Sequence, residues 1–219
     1  MRYYPIHLDL QERPVLLVGG GVIAEGKAEQ LIAARARVRV VSPTLTARLA
    51  QWHAQGSVIW REGRFAESDL AGVVLVISAT DDQAVNEAVA RAASARGLLY
   101  NVVDQPALCS FITPALVTRG ELQISVSSSG GSPTVTQHVK RRIAETIGEE
   151  YGELLRLTSQ LRTNLRVRGV GYAERRDLLN AFVESDVLAL LRAGRIAEAE
   201  QLAQDVLAHA TERAAAQNG

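Results

Sequence analysis

The stretch Pro14–Lys27 restricts the fold more than any other part of the chain. Val15-Leu-Leu-Val18 is apolar without the alternation of a half-wet strand, which predicts a strand buried on both faces. Gly19-Gly-Gly21 follows at once, and a helical pattern then runs through Leu31, Ile32 and Ala34. The spacing Gly19-x-Gly21-x-x-Ala24 fits the dinucleotide fingerprint of strand, tight turn and helix start. Each position has a physical task. Gly19 lets the chain turn, Gly21 lets a pyrophosphate approach bare backbone, and Ala24 lets the helix pack closely on its strand. The free N–H groups of that helix would face the phosphates, with the dipole favouring negative charge. A glycine-rich turn that binds nothing uses the same residues; the flanking strand and helix favour a bound cofactor.

Bulk properties remove whole classes of partner. The 24 basic and 24 acidic residues cancel, so no global field draws the chain to nucleic acid or to an anionic membrane. The most apolar run, Ala71 to Ala79, is too short to span a bilayer, and Met1–Pro5 lacks the apolar stretch of a signal peptide. A single cysteine, Cys109, excludes an internal disulfide and a cysteine-built zinc site and suits a reducing compartment. A cytoplasmic protein is expected. The histidines, His7, His53, His138 and His209, show no metal-ligand spacing, so no resident metal site is expected. Trp52 and Trp60 read as packing residues, and Cys109 as a small buried one.

Taken in order, Tyr4–Leu10 alternates as a short strand or arm. Val38–Val41 reads as a second strand ended by Ser42-Pro43, Thr46–His53 as a short helix, and Val58–Trp60 as a third strand. An acidic residue ordinarily closes the second strand and holds the adenosine ribose hydroxyls. Here Ser42, Pro43 and Thr44 stand in that place, so Ser42 or backbone groups take the ribose. No arginine follows at once to mark a 2′-phosphate, which leans to NAD over NADP. Val73–Ala79 is a buried strand, Asp82 an N-cap for a helix from Gln83 to Arg96, and Leu99–Val103 a fifth strand stopping at Asp104. Ligands of an open parallel sheet sit beyond the strands' carboxyl ends, which brings Ala79, Thr80 and Asp81 to the cofactor. The β-α-β alternation predicts an α/β, Rossmann-like, doubly wound parallel sheet.

The pattern then changes. Phe111–Thr118 and Glu121–Ser127 form a hairpin about Arg119-Gly120, and Ser132-Pro133 opens a helix to about Ile147. Beyond Gly148 the chain is helical, broken near Gly169-Val-Gly171 and Gly194, with a frayed end at Gln217–Gly219.

Several of these segments, in order, resemble precorrin-2 dehydrogenase, the amino-terminal part of siroheme synthase. They are Val18–Gly21 with Ala24 and Lys27, Ala79-Thr-Asp-Asp82 with Val85-Asn86, and Asn101-Val-Val-Asp104. Ser110-Phe111 with Pro114, and Ser127-Ser-Ser-Gly-Gly-Ser-Pro133, complete the set over roughly residues 1 to 150. No methyltransferase domain follows, so the stand-alone form is expected. The resemblance implies NAD-dependent oxidation of precorrin-2 to sirohydrochlorin and, in some members, insertion of ferrous iron in the same cleft. It further implies a homodimer joined largely through Phe111–Ile147, with a substrate cleft between domains. The expected division is therefore a Rossmann domain over 1–113, an α+β dimerisation region over 114–148 and a helical domain over 149–219. Val22, Ile23 and Asn101 join the cofactor residues in this reading.

The residues fit such chemistry. Oxidising a reduced macrocycle removes a hydride and a proton, so the site needs a cofactor and a base. Asp104, at a strand end facing the ligand, corresponds to the family's catalytic aspartate; a turn-capping role is the structural alternative. The substrate's acetate and propionate arms call for donors. Ser127, Ser128, Ser129, Gly130 and Gly131 offer an anion cradle, Ser128 foremost, unless the run is a mere flexible turn. Lys140 and Arg141 could meet carboxylates, as could Arg142, against the alternative of a solvated helix face. Two other functions remain open: a regulatory module that senses NAD without chemistry, and a dehydrogenase acting on another polycarboxylate.

Overall fold

The computed structural model describes residues 2–217, with side chains to residue 210; the expected fray at Gln217–Gly219 falls on or beyond that limit. Two compact units are present, Met1–Thr113 and Pro114–Gly219.

In the first unit, β1 (Pro14–Val18), β2 (Arg37–Ser42), β3 (Val58–Glu62), β4 (Leu75–Ser78) and β5 (Leu99–Val102) form one parallel sheet in the order β3-β2-β1-β4-β5. Three helices, α1 (Val22–Ala33), α2 (Ala47–Ala54) and α3 (Gln83–Ala95), make three of the crossovers, and the connection from β3 to β4 carries only a short 3-10 turn at Glu67–Leu70. Because successive side chains point to opposite faces, β1 feeds two cores. Val15 and Leu17 join Val38, Val40, Leu75 and Ile77 under Ala24, Ala28 and Leu31 of α1 and Leu49 of α2. Leu16 and Val18 join Val41 and Val76 under Val89, Ala92 and Ala93 of α3. The doubly buried strand is as predicted.

Tyr4–Leu10 is an arm and forms no strand, with Tyr4, Ile6 and Leu8 exposed; alternation alone supplies no hydrogen-bonding partner strand. Trp60 packs on the first core while its indole N–H donates to the carbonyl of Ser42 at 3.0 Å.

The second unit opens with the antiparallel hairpin β6 (Ala115–Arg119) and β7 (Leu122–Val126), followed by α4 (Pro133–Thr146). Ser132 caps α4 by accepting from the N–H of Val135 at 3.3 Å, with Pro133 at the first helical position. Arg119 ties the hairpin to the end of α4, donating to the carbonyls of Ile147 at 2.8 Å and Ala144 at 3.0 Å. Four helices follow: α5 (Glu150–Val167), α6 (Tyr172–Glu184), α7 (Val187–Arg192) and α8 (Ile196–Gln217). Leu154, Leu157, Leu161 and Leu165 recur at helical spacing and build a core with Phe182, Val187 and Leu191. The helix breaks at Gly169 and Gly194 are found; a further break at Ser185-Asp186 carries no glycine and escaped the sequence. Among the described residues no helix is long and apolar enough to cross a membrane.

The tightest point of the first unit is the turn after β1. Gly19 has φ +120°, and a Cβ there would strike the carbonyl oxygen of Ala79. A Cβ on Gly20 would strike the carbonyl oxygen of Thr44 and lie 2.6 Å from Ser42 Oγ. Gly20→Ala is therefore expected to cost about 3 kcal/mol of stability, read as a lowered denaturation midpoint. An unchanged midpoint would show that the turn is looser than described.

Candidate functional site

The parallel order reverses between β1 and β4, and a cleft of about 640 Å³ opens there beyond the strands' carboxyl ends. It gathers Gly19, Gly21, Val22 and Ile23 from the first turn, and Ser42, Pro43 and Thr44 from the end of β2. Ala79, Thr80 and Asp81 come from the end of β4, and Asp104 from beyond β5.

Gly21 is the informative glycine. Its φ of −84° is open to any residue, and a Cβ placed on it would meet nothing within 4 Å. Packing and backbone strain therefore do not demand glycine at this position. The helix behind it, α1, starts on Gly21 with no side-chain cap, so its first N–H groups remain available. Bare backbone, open space and an uncapped helix start form a cradle for a pyrophosphate, and the residues present fit a dinucleotide.

The far wall is fastened from behind. Asn86, buried on α3, donates to the carbonyl of Thr80 at 3.0 Å and accepts from Ser78 Oγ at 2.7 Å. Thr80 Oγ1 accepts from the N–H of Asp82 at 3.2 Å, and Asp82 caps α3 by accepting from the N–H of Val85 at 3.2 Å. Asp82 is thus occupied by capping, as predicted.

Asp104 differs from Asp82. It has φ +61°, is exposed, and its carboxylate accepts no hydrogen bond among the described residues. The turn it begins is closed by backbone alone, Gln105 N–H donating to the carbonyl of Val102 at 3.2 Å. The turn-capping alternative therefore has no bond to support it. Lys27 on α1 is the cation that senses this carboxylate. Burial lowers its pKa below the ordinary lysine value, and the charge of Asp104 partly restores it.

Some expectations need correction. Asn101 does not line the cleft: it is buried, and its amide donates to the carbonyl of Phe111 at 3.0 Å and to Cys109 Sγ at 3.5 Å. It fastens the segment after β5. Cys109 is only partly buried, its thiol donating to the carbonyls of Val102 and Gln105 at 3.2 Å. Burial pushes this thiol up, which keeps it protonated and poorly nucleophilic. In the second unit the Ser/Gly run is bonded to itself. Ser128 Oγ accepts from the N–H of Ser132 at 3.0 Å and from Thr136 Oγ1 at 2.9 Å, and donates to the carbonyl of Ser132 at 3.2 Å. Ser127 Oγ accepts from the N–H of Ser129 at 3.1 Å, and the N–H of Gly131 donates to the carbonyl of Ser128 at 2.9 Å. Ser128 is thus the fastener of the turn, with little hydrogen-bonding capacity left over. Ser129 and Gly130 are exposed, as is Arg141, whose guanidinium lies 3.3 Å from His138 Nδ1; Lys140 is half-buried. Among the described residues no cluster of three or more potential metal ligands forms.

Sequence reasoning also missed Gly63, Arg64 and Phe65, which line the cleft from the loop after β3. The rule that ligands gather beyond all strand ends would have found them.

Two measurements test this geometry. Gly21→Ala should leave stability within about 0.5 kcal/mol while weakening dinucleotide binding; unchanged binding would empty the cradle of meaning. Cys109 keeps its proton in the folded state above pH 9.0, where the unfolded chain loses it, so its contribution is full below that pH and falls above it. The stability advantage of the native chain over Cys109→Ala should therefore shrink as pH rises past 9.0.

Comparison with known proteins agrees with this architecture. Residues 6–115 match the family model of NAD(P)-binding, 119–146 the model of the sirohaem biosynthesis protein central region, and 150–207 that of the sirohaem synthase dimerisation region. Siroheme synthase 1 of Klebsiella pneumoniae subsp. pneumoniae is 40% identical over 207 residues, 94% of this chain and 44% of that protein. The siroheme synthase of Stutzerimonas stutzeri is 40% identical over 95% of this chain and 45% of its own length. The chain thus spans less than half the length of these relatives. A solved structure of SirC, a precorrin-2 dehydrogenase, superposes with a TM-score of 0.80 at 26% identity, covering 93% of this chain and 98% of that one. With an NAD(P)-binding unit followed by the sirohaem central and dimerisation segments in that order, the chain belongs to the precorrin-2 dehydrogenase and siroheme synthase family.

Proposed function

We propose that the protein oxidises precorrin-2 to sirohydrochlorin with NAD, a step of siroheme biosynthesis. The observation that carries this reading is the sharing of one cleft by the open backbone at Gly21 and the unbonded carboxylate of Asp104. The relatives named siroheme synthase and the neighbour named precorrin-2 dehydrogenase supply the substrate.

In this mechanism Gly19, Gly21, Val22 and Ile23 would hold the pyrophosphate at the start of α1. Ser42, Pro43 and Thr44 would hold the adenosine ribose, and Ala79, Thr80 and Asp81 would receive the nicotinamide end. NAD, when bound, supplies the hydride acceptor. Asp104 takes up the proton that the macrocycle loses as its new double bond forms, and Lys27 balances the carboxylate's charge from behind. Ser127, Ser129, Gly130, Lys140 and Arg141 are our assignment for the substrate's carboxylate arms, with Ser128 holding their turn. We extend the role of Asp104 to ferrous iron insertion, where an exposed carboxylate can remove protons from the ring nitrogens.

The protein acts as a homodimer in this reading. Supporting that, α4 has no buried residue, and Val135, Val139 and Leu116 are exposed apolar side chains on α4 and β6. The 1–113, 114–148 and 149–219 division remains our working one, and the cytoplasm our compartment, in keeping with a free Cys109 thiol.

Anaerobic incubation with NAD and precorrin-2 should produce the visible spectrum of sirohydrochlorin. Asp104→Asn should slow that change by roughly 10²–10⁴-fold while NAD still binds. A spectrum that never changes with the native protein would point to the NAD sensor or to another polycarboxylate. Full activity in the variant would remove Asp104 as the base.

A further inference from the structure

The end of the cleft assigned above to the adenosine ribose carries no carboxylate from β2 or the two residues after it. An NAD enzyme of this fold ordinarily ends β2 on an acidic residue, which hydrogen-bonds the ribose 2′-hydroxyl and repels a 2′-phosphate; an arginine nearby accommodates that phosphate instead. Here β2 ends on Ser42, followed by Pro43 and Thr44, all lining the cleft without a carboxylate among them. The cleft's acidic residues, Asp81, Asp82 and Asp104, come from the ends of β4 and β5.

The loop after β3 brings a cation to the same end. The N–H of Gly63 donates to the carbonyl of Ser42 at 3.2 Å, which draws the loop against the end of β2. Arg64 comes next and lines the cleft, exposed, its guanidinium without a hydrogen bond or ion pair among the described residues. Its backbone is anchored through Arg61, which donates to the Arg64 carbonyl at 2.8 Å while gripping Asp69 through Nε at 2.6 Å and through a second nitrogen. Glu62, the nearest carboxylate in sequence, is exposed and outside the cleft lining. The chain thus brings an unpaired arginine into the cleft lining beside the end of β2, which offers no acid.

We infer that the cleft accepts a 2′-phosphorylated dinucleotide, with Arg64 as the residue that binds the phosphate and sets the NADP-to-NAD ratio. The inference rests on the dinucleotide reading of the cleft and adds a second cofactor to it. A guanidinium meets a phosphate through paired, charge-assisted N–H···O bonds, which a ribose hydroxyl cannot offer.

Titration of the native protein with NAD and with NADP, beside Arg64→Glu, Arg64→Ala and Arg64→Lys, tests it. The native protein should bind NADP at least about as tightly as NAD. The NADP-to-NAD affinity ratio should fall about tenfold or more in Arg64→Ala and further in Arg64→Glu, with Arg64→Lys retaining part of it. Adenosine 2′,5′-bisphosphate should compete better than 5′-AMP, and lose that advantage in Arg64→Glu. A native protein that binds NAD but rejects NADP, or a ratio that Arg64→Glu leaves unmoved, overturns the inference while leaving the dinucleotide site intact. Failure to bind either dinucleotide overturns the cofactor reading itself.

Discussion

Everything in the first unit follows from how closely the chain after β1 passes its neighbours. Gly19 lies against the carbonyl of Ala79 at the end of β4, and Gly20 against the carbonyl of Thr44 beyond β2. Those two approaches press one turn against both flanking strand ends, which no residue with a Cβ could do without shifting backbone. They also set the direction in which α1 departs, and so where its uncapped first turn points. The cleft is what remains once these contacts are made. Gly21 then stands apart from its two neighbours, being free of protein contact on the side where a Cβ would lie.

That distinction explains why so much of this unit was legible beforehand. A doubly buried strand, a glycine turn and a helix are local patterns, and the parallel sheet rule converts a list of strand ends into a list of cleft residues. Ten of the eleven cofactor positions named from sequence lie in the cleft lining for that reason, and the eleventh shows the limit. Asn101 is the third residue of β5, short of the strand's end, and the segment beyond it returns so that Phe111 and Cys109 take its hydrogen bonds. A motif names the residue but not the later segment that claims its amide. Arg64 was missed for the opposite reason. Its loop has no recognisable pattern, and only the pairing of β3 with β2 carries it to the cleft beside the end of β2.

The second unit was read more coarsely because its informative contacts are long-range or self-directed. Helix caps such as Ser132-Pro133 are local and were visible; the break at Ser185-Asp186 has no glycine to announce it. The Ser127–Gly131 run has the composition of an anion cradle, yet polar groups in a tight turn also bond to one another. Ser129 at φ +56° and Gly130 at φ +82° curl the chain so that Ser128 faces Ser132 and Thr136. Composition could not distinguish donors offered outward from donors satisfied within.

The aspartates of the first unit show the same contrast, and it bears on chemistry. Asp69 is buried against Arg61 and the N–H of Ala66, and Asp82 caps α3. Both have structural partners, so a proton or a ligand would have to displace existing bonds. Asp104 is held by its backbone alone, in a left-handed conformation that a non-glycine residue adopts at some expense. Its carboxylate stays exposed at the end of β5, with the charge of half-buried Lys27 acting on it. Glu12, Arg35 and Ser129 share that conformation elsewhere in the chain, so what sets Asp104 apart is its place in the cleft lining with no side-chain hydrogen-bond partner among the described residues. The fold thus leaves two features of this cleft without structural employment, the backbone face of Gly21 and the carboxylate of Asp104, and the proposed oxidation rests on those two.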